Sequence, residues 1–183
     1  MTNIYLDHAA TSPMHPDVLQ AMLPYFTETF GNASSLHGFG RAARAAVNDA
    51  RDSIARYLGC RSGELIFTGG GTESDNLALF GIAEAYGGSR RHIITTSIEH
   101  HAVLHSCRQL EKMGFDITYM PVDSTGRVSA DDVKAALRRD TLMISMMYGN
   151  NEVGTLQPVE AVGRAAREAG VFFFMWTPFK RLD

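Results

Sequence analysis

From His92 to Phe174 short apolar runs alternate with amphipathic ones, and that alternation leaves few folds open. His92 to Thr96, Asp116 to Met120, Thr141 to Tyr148 and the run beginning Val171-Phe172-Phe173-Phe174 read as strands. Helices are expected between them. One runs from about His101 to Met113, before Gly114. A second follows Ser129-Ala130-Asp131-Asp132, a capping box with Asp in place of Glu, and reaches Arg138. A third spans Pro158 to Ala169, before Gly170. Thr141 to Tyr148 is mostly apolar, the pattern of a strand buried on both faces. This βαβα order predicts an α/β fold: three layers, a mostly parallel sheet with helices on both faces. Sites in such sheets gather at the carboxyl ends of the strands.

Upstream, helices are expected from Asp17 to Phe26 and from Ala42 to Leu58, where Val47, Ala50, Ile54 and Leu58 share one face and Gly59 supplies the stop. Glu64-Leu65-Ile66-Phe67-Thr68 reads as a further strand, broken by Gly69-Gly70-Gly71, with a helix from Glu73 to Tyr86. The 183 residues are 45% apolar and 20% charged, which argues against disorder. A formal charge of −3 gives no support to a nucleic-acid or membrane-surface role. No apolar run approaches the ~20 residues of a membrane span. The start, Met1-Thr2-Asn3-Ile4-Tyr5, carries no signal-peptide pattern. Cys60 and Cys107 make no CxxC pair and no disulfide framework, so a cytoplasmic protein is expected.

Three segments could carry chemistry. Phe67 to Asn76 takes a strand through three glycines into a helix, a geometry that lets backbone N–H groups, the Thr72 hydroxyl and the helix dipole meet a phosphate. It lacks the Gly-Lys-Ser/Thr ending of a P-loop, and it reads equally as a tight turn with Thr72 as N-cap. Glu99-His100-His101-Ala102-Val103-Leu104-His105 follows a strand end. His100 at that junction could stack on a flat cofactor or move protons, or simply cap the helix. His101 and His105 have zinc-ligand spacing, but no third ligand is evident and no metal is expected. Tyr148 to Thr155 offers paired asparagines as neutral donors and acceptors, or an Asn-rich turn. Leu6 to Thr11 and Gly31 to His37 read as ordered loops.

Taken together, Tyr5 to Thr11, Phe30 to Ser35, Phe67 to Ala78, Ile93 to Leu104 and Met147 to Gly154 resemble the cysteine desulfurases of the NifS/IscS type. These are class V aminotransferase-like, fold-type I enzymes that use pyridoxal 5′-phosphate. The resemblance implies that residues 1–173 are the N-terminal part of the cofactor-binding large domain, an incomplete fold-type I domain. It implies that Gly71 and Thr72 hold the cofactor phosphate, Gly71 standing where the family often has Ala. His100 would stack on the pyridine ring and shuttle protons. Asn151 would contact the phenolic oxygen or the substrate carboxylate. The implied reaction takes sulfur from L-cysteine, releases L-alanine and leaves a persulfide for iron–sulfur cluster assembly or tRNA thiolation. The implied partners are L-cysteine, sulfur-acceptor proteins and a second subunit of a homodimer. Other readings are a selenocysteine lyase, a small-amino-acid aminotransferase, or a non-catalytic chain that binds a full-length subunit.

The pattern departs near Phe174. There the family has His-x-Asp-Ala-x-Gln, whereas this chain has Met175-Trp176-Thr177-Pro178-Phe179-Lys180. Met and Trp have single codons, so Met175-Trp176-Thr177 is encoded ATG TGG AC. Read one base earlier, the same bases force Val-Asp, and suitable third bases complete the family's run. Residues 174–183 are therefore expected to be an out-of-frame tail. The family's Schiff-base lysine and persulfide cysteine have no counterpart here, so Lys112, Lys134, Lys180, Cys60 and Cys107 are not assigned those roles and an inactive chain is expected. Glu64 to Thr68 would also lack its partner strand, leaving apolar surface exposed and solubility poor.

Overall fold

The computed structural model describes residues 4–8 and 10–176, in two compact units divided between Phe67 and Thr68. The first unit is helical. α1 (Pro16–Thr27) starts on Pro16, with the His15 ring accepting from the Asp17 N–H, and buries no residue. α2 (Gly38–Leu58) starts four residues before the sequence-predicted Ala42, with His37 as its cap, and stops at Gly59 in the left-handed region at φ 68°. The loop before it is pressed against the helix. A Cβ on Gly31 would stand 2.3 Å from the Phe39 carbonyl oxygen, so glycine alone fits. Arg44 closes the loop by donating to the Ala33 carbonyl at 2.7 Å.

The expected strand at Glu64 to Thr68 does not form. Ser62–Glu64 is a single 3-10 turn and residues 65–68 join no ladder. A β-rich composition cannot make a strand without a neighbour to take its N–H and C=O groups. The Leu65 carbonyl instead accepts from the Arg51 guanidinium, which also lies over the Phe67 ring, 4.5 Å from its centroid. As expected of an unpartnered segment, Ile66 is 70% exposed.

The second unit is the three-layer α/β body. After α3 (Gly71–Tyr86) come β1 (His92–Thr96), α4 (His101–Lys112), β2 (Asp116–Met120), α5 (Ala130–Ala135), β3 (Thr141–Met147), α6 (Val159–Ala169) and β4 (Phe172–Trp176). The strands lie in the order β2-β1-β3-β4, every pairing parallel. Side-chain alternation splits the core. Ile93 and Met143 pack with Leu79 and Ala83 of α3 and Val103, Cys107 and Leu110 of α4. Ile94, Ile144 and Met146 pack with Val133 of α5 and Val162 and Ala166 of α6. All residues of β1 and β3 are buried. Phe174, Met175 and Trp176, the first residues of the expected out-of-frame tail, complete β4 opposite Ser145, Met146 and Met147. Residues 177–183, with Lys180, lie outside the described residues. α5 ends at Ala135, short of Arg138. Arg138 instead pairs with Asp116 and Asp140.

At the amino ends of the strands His92 ties three of them together. Its Nδ1 meets the Thr141 hydroxyl and its Nε2 the Thr118 hydroxyl, both at 2.8 Å. Burial lowers its pKa, and the Arg138 charge lowers it further, against Asp116 and Asp140. No helix among the described residues is long and apolar enough to cross a membrane.

Candidate functional site

The strand order dictates where a site belongs. From β1 the chain crosses to β2 on one side, and β3 then inserts on the other, so the connections diverge between β1 and β3. A crevice opens at the carboxyl ends of such a pair. A cavity of about 700 Å3 lies there, lined by Ser97, Glu99 and His100 after β1 and by Asn150, Asn151 and Glu152 after β3.

His100 lines this cavity at the start of α4. Its Nδ1 accepts the Ala102 N–H at 3.1 Å, so the helix-cap reading of the ring is correct as geometry. The neutral ring then carries its proton on Nε2. Its edge meets Trp176, with ring centroids 5.9 Å apart. The two asparagines divide their work. Asn150 is buried: its Nδ2 donates to the Ile98 carbonyl at 3.2 Å, and its Oδ1 accepts from the N–H groups of Glu152 and Val153 at 2.9 and 3.0 Å. It builds the turn and ties it to the loop after β1. Asn151 lines the same cavity, half-buried, and no hydrogen bond from its side chain occurs among the described residues.

Gly71 and Thr72 do not line that cavity. They form the first turn of α3, and the helix cap is Gly70, which overturns the reading of Thr72 as N-cap. The Glu73 carboxylate accepts the Gly69 N–H at 2.6 Å, and the Thr68 and Ser74 hydroxyls pair at 2.6 Å, fixing the loop. The N–H groups of Gly71 and Thr72 have no acceptor within the helix, and a Cβ on Gly70 or Gly71 would meet nothing within 4 Å. A helix N-terminus with open space before it suits an anion. One turn further on, Asp75 is buried; burial raises its pKa and His100 lowers it, so the α3 and α4 starts share one electrostatic environment.

Beneath the cavity lies Glu99, quoted above within a motif but given no role. It is 5% exposed. Its Oε1 accepts from the Thr96 hydroxyl at 2.7 Å and from the Met147 N–H at 3.0 Å; its Oε2 accepts from the Trp176 indole at 2.6 Å. Burial pushes its pKa up to about 6, against the pull of those three donors, and Asp75 adds to the rise. The sequence signal for it is an acid beside His100 in the loop that leaves a strand end. Cys107 is buried in α4 with its thiol pushed up to about 12, an inert core residue. His101 and His105 stack without a third ligand, and no metal-ligating cluster occurs among the described residues.

A family model described as aminotransferase class-V matches residues 4–175. The chain belongs to the class-V aminotransferase family. This family and the cysteine desulfurases depend on pyridoxal phosphate. Among its relatives, the putative cysteine desulfurase IscS 1 of Bacillus subtilis is 58% identical over 173 residues, covering 94% of this chain and 46% of the relative. The cysteine desulfurase IscS of Dictyoglomus turgidum is 51% identical over 170 residues, covering 93% and 43%. Solved class-V relatives share the fold. A NifS-like protein aligns with a TM-score of 0.91 at 38% identity, over 95% of this chain and 48% of its own. A structure titled SspA in complex with cysteine aligns at 0.89 and 40% identity, over 93% and 49%. The chain thus spans about half the length of the relatives it matches.

The residues present suit the family's cofactor in part. An open helix N-terminus and an exposed threonine hydroxyl fit its phosphate, and an imidazole and an amide at the cavity fit a flat, oxygen-bearing ring. Among the described residues no lysine lines the cavity; Lys112 ends α4, a full helix length from His100, and Lys134 is in α5.

Proposed function

We propose that residues 1–173 are the cofactor-binding part of a cysteine desulfurase that takes sulfur from L-cysteine for iron–sulfur cluster assembly or tRNA thiolation. The observation that carries the reading is the placement of His100 and Asn151 on one cavity at the β1/β3 switch point. The backbone N–H groups of Gly71 and Thr72, with the Thr72 hydroxyl, hold the phosphate. His100 presents its ring to the pyridine and, with Nδ1 engaged, offers the Nε2 proton. Asn151 donates its amide to a cofactor oxygen or to the substrate carboxylate. Pyridoxal phosphate, when bound, supplies the electron sink. Among the described residues no lysine or cysteine lines this cavity, so the role proposed for it is binding and orienting the cofactor.

The same reading places the protein in the cytoplasm, with sulfur-acceptor proteins as partners. It also assigns the open apolar side chains of α1, Val18, Leu23 and Phe26 among them, to contact with a second subunit. The test is a binding titration with pyridoxal 5′-phosphate and with pyridoxal. Phosphate-dependent binding, weakened about tenfold or more by Thr72→Val and by His100→Ala and not fixed by borohydride, is expected. Equal binding of both ligands, or no binding, overturns it.

A further inference from the structure

Three consecutive residues at the cavity floor are each pinned by a different partner. The Ile98 carbonyl is held by Asn150 of the β3 loop. The Glu99 carboxyl is held by Thr96 of β1, Met147 of β3 and Trp176 of β4. The His100 ring is held by the Ala102 N–H of α4. His100 is itself exposed, with extended backbone at φ −59° and ψ 149°, and its ring is located by the Ala102 N–H and the edge of Trp176. Glu99 acts on that ring from the adjoining position and through Trp176, whose indole it holds against the His100 edge.

We propose that Glu99 is a positioning residue: by gathering the carboxyl ends of β1, β3 and β4 it holds His100 where the ring caps α4 and faces the cavity. That His100 receives a cofactor rests on the function proposed above; that Glu99 orients it does not. The arrangement also makes Trp176 a reporter. It is the chain's one tryptophan, bonded to Glu99 through its indole N–H and touching His100 with its edge. The other titratable groups facing Glu99 are Asp75 from α3 and Cys107 from α4, with His100 at its side.

Amide hydrogen exchange on the full chain tests this, because the Ala102 N–H is bonded to His100 while Leu110 is buried in the same helix. In Glu99→Gln the indole N–H faces a side chain that can present a donor in place of an acceptor. Exchange at Ala102 is expected to speed at least tenfold while Leu110 keeps its protection; general destabilisation would move both alike. Trp176→Phe removes the donor but keeps a ring, and should give the same local change at smaller size, deciding the matter if the glutamine variant does not fold. Tryptophan emission in the wild-type chain should change between pH 5 and 7; the transition should persist in His100→Gln and vanish in Glu99→Gln. Unchanged exchange at Ala102 in folded variants, or equal acceleration at Leu110, overturns the proposal. A parallel pyridoxal 5′-phosphate titration separates the two ideas: local loosening without any cofactor binding discards the cofactor reading and leaves the role of Glu99 standing.

Discussion

β1 is tied at both ends by a buried titratable side chain, and the two ties differ in kind. At the amino end His92 reaches β2 and β3 through hydroxyls, one on each ring nitrogen. Its neutral form has one donor and one acceptor, both satisfied, and burial favours that form. At the carboxyl end Glu99 reaches β3 and β4 through donors only, an arrangement that suits a carboxylate which burial disfavours. One end is closed, with the charges of Arg138, Asp116 and Asp140 paired beside it. The other keeps a buried acid next to the cavity. Helix starts and switch-point loops open only at the carboxyl end, so the fold places that acid where a ligand could meet it.

The strongest way to break this contrast is His92→Ala. It removes the bonds to the Thr118 and Thr141 hydroxyls and leaves a cavity in the core, with an expected loss of about 3 kcal/mol in urea unfolding. A loss under 1 kcal/mol would show that the amino-end tie is dispensable.

Second in size is pH. His92 has a lowered folded pKa, so the unfolded chain protonates first and stability falls as pH drops through 6.5. Glu99 has a raised one: the folded chain binds the proton more tightly, and stability falls as pH rises from 4.5 to about 6. The rise corresponds to about 2 kcal/mol. The two slopes oppose each other in the wild-type chain. Glu99→Gln should therefore unmask a loss of stability on acidification over that window, measured by urea midpoints at several pH values. A wild-type profile identical to the variant's would remove Glu99 from the account.

Third, Asn150→Ala breaks the turn bonds and should cost about 2 kcal/mol, whereas Asn151→Ala should change stability by less than about 0.5 kcal/mol and act on ligand binding alone. Equal effects would dissolve the division between them. Smallest is Gly71→Ala. With nothing within 4 Å of the new methyl, a change within about 1 kcal/mol, in the stabilising direction, is expected in thermal melts.

Much of this was legible beforehand, for identifiable reasons. β1 and β2 fall where the sequence predicts because their apolar runs are short and bounded by Arg91, Phe115 and Pro121. The cavity residues His100 and Asn151 were visible because strand ends in a parallel sheet mark themselves. Glu64 to Thr68 failed because pairing is decided by a neighbour, which local composition does not contain. The roles of His92, Asn150 and Glu99 stayed hidden for the same reason: each has a partner between 26 and 77 positions away.

The ladder-free stretch at 65–68 has a practical consequence. It is exposed at Ile66 and Phe67, apolar, and coincides with the boundary between the two compact units. A protease that prefers large apolar residues should nick the chain there before it touches β1 or β3. The larger product, starting near Thr68, would carry the whole sheet, the α3 start and the cavity. Limited digestion therefore offers a route to a smaller molecule in which ligand binding at the switch point can be measured without the helical segment.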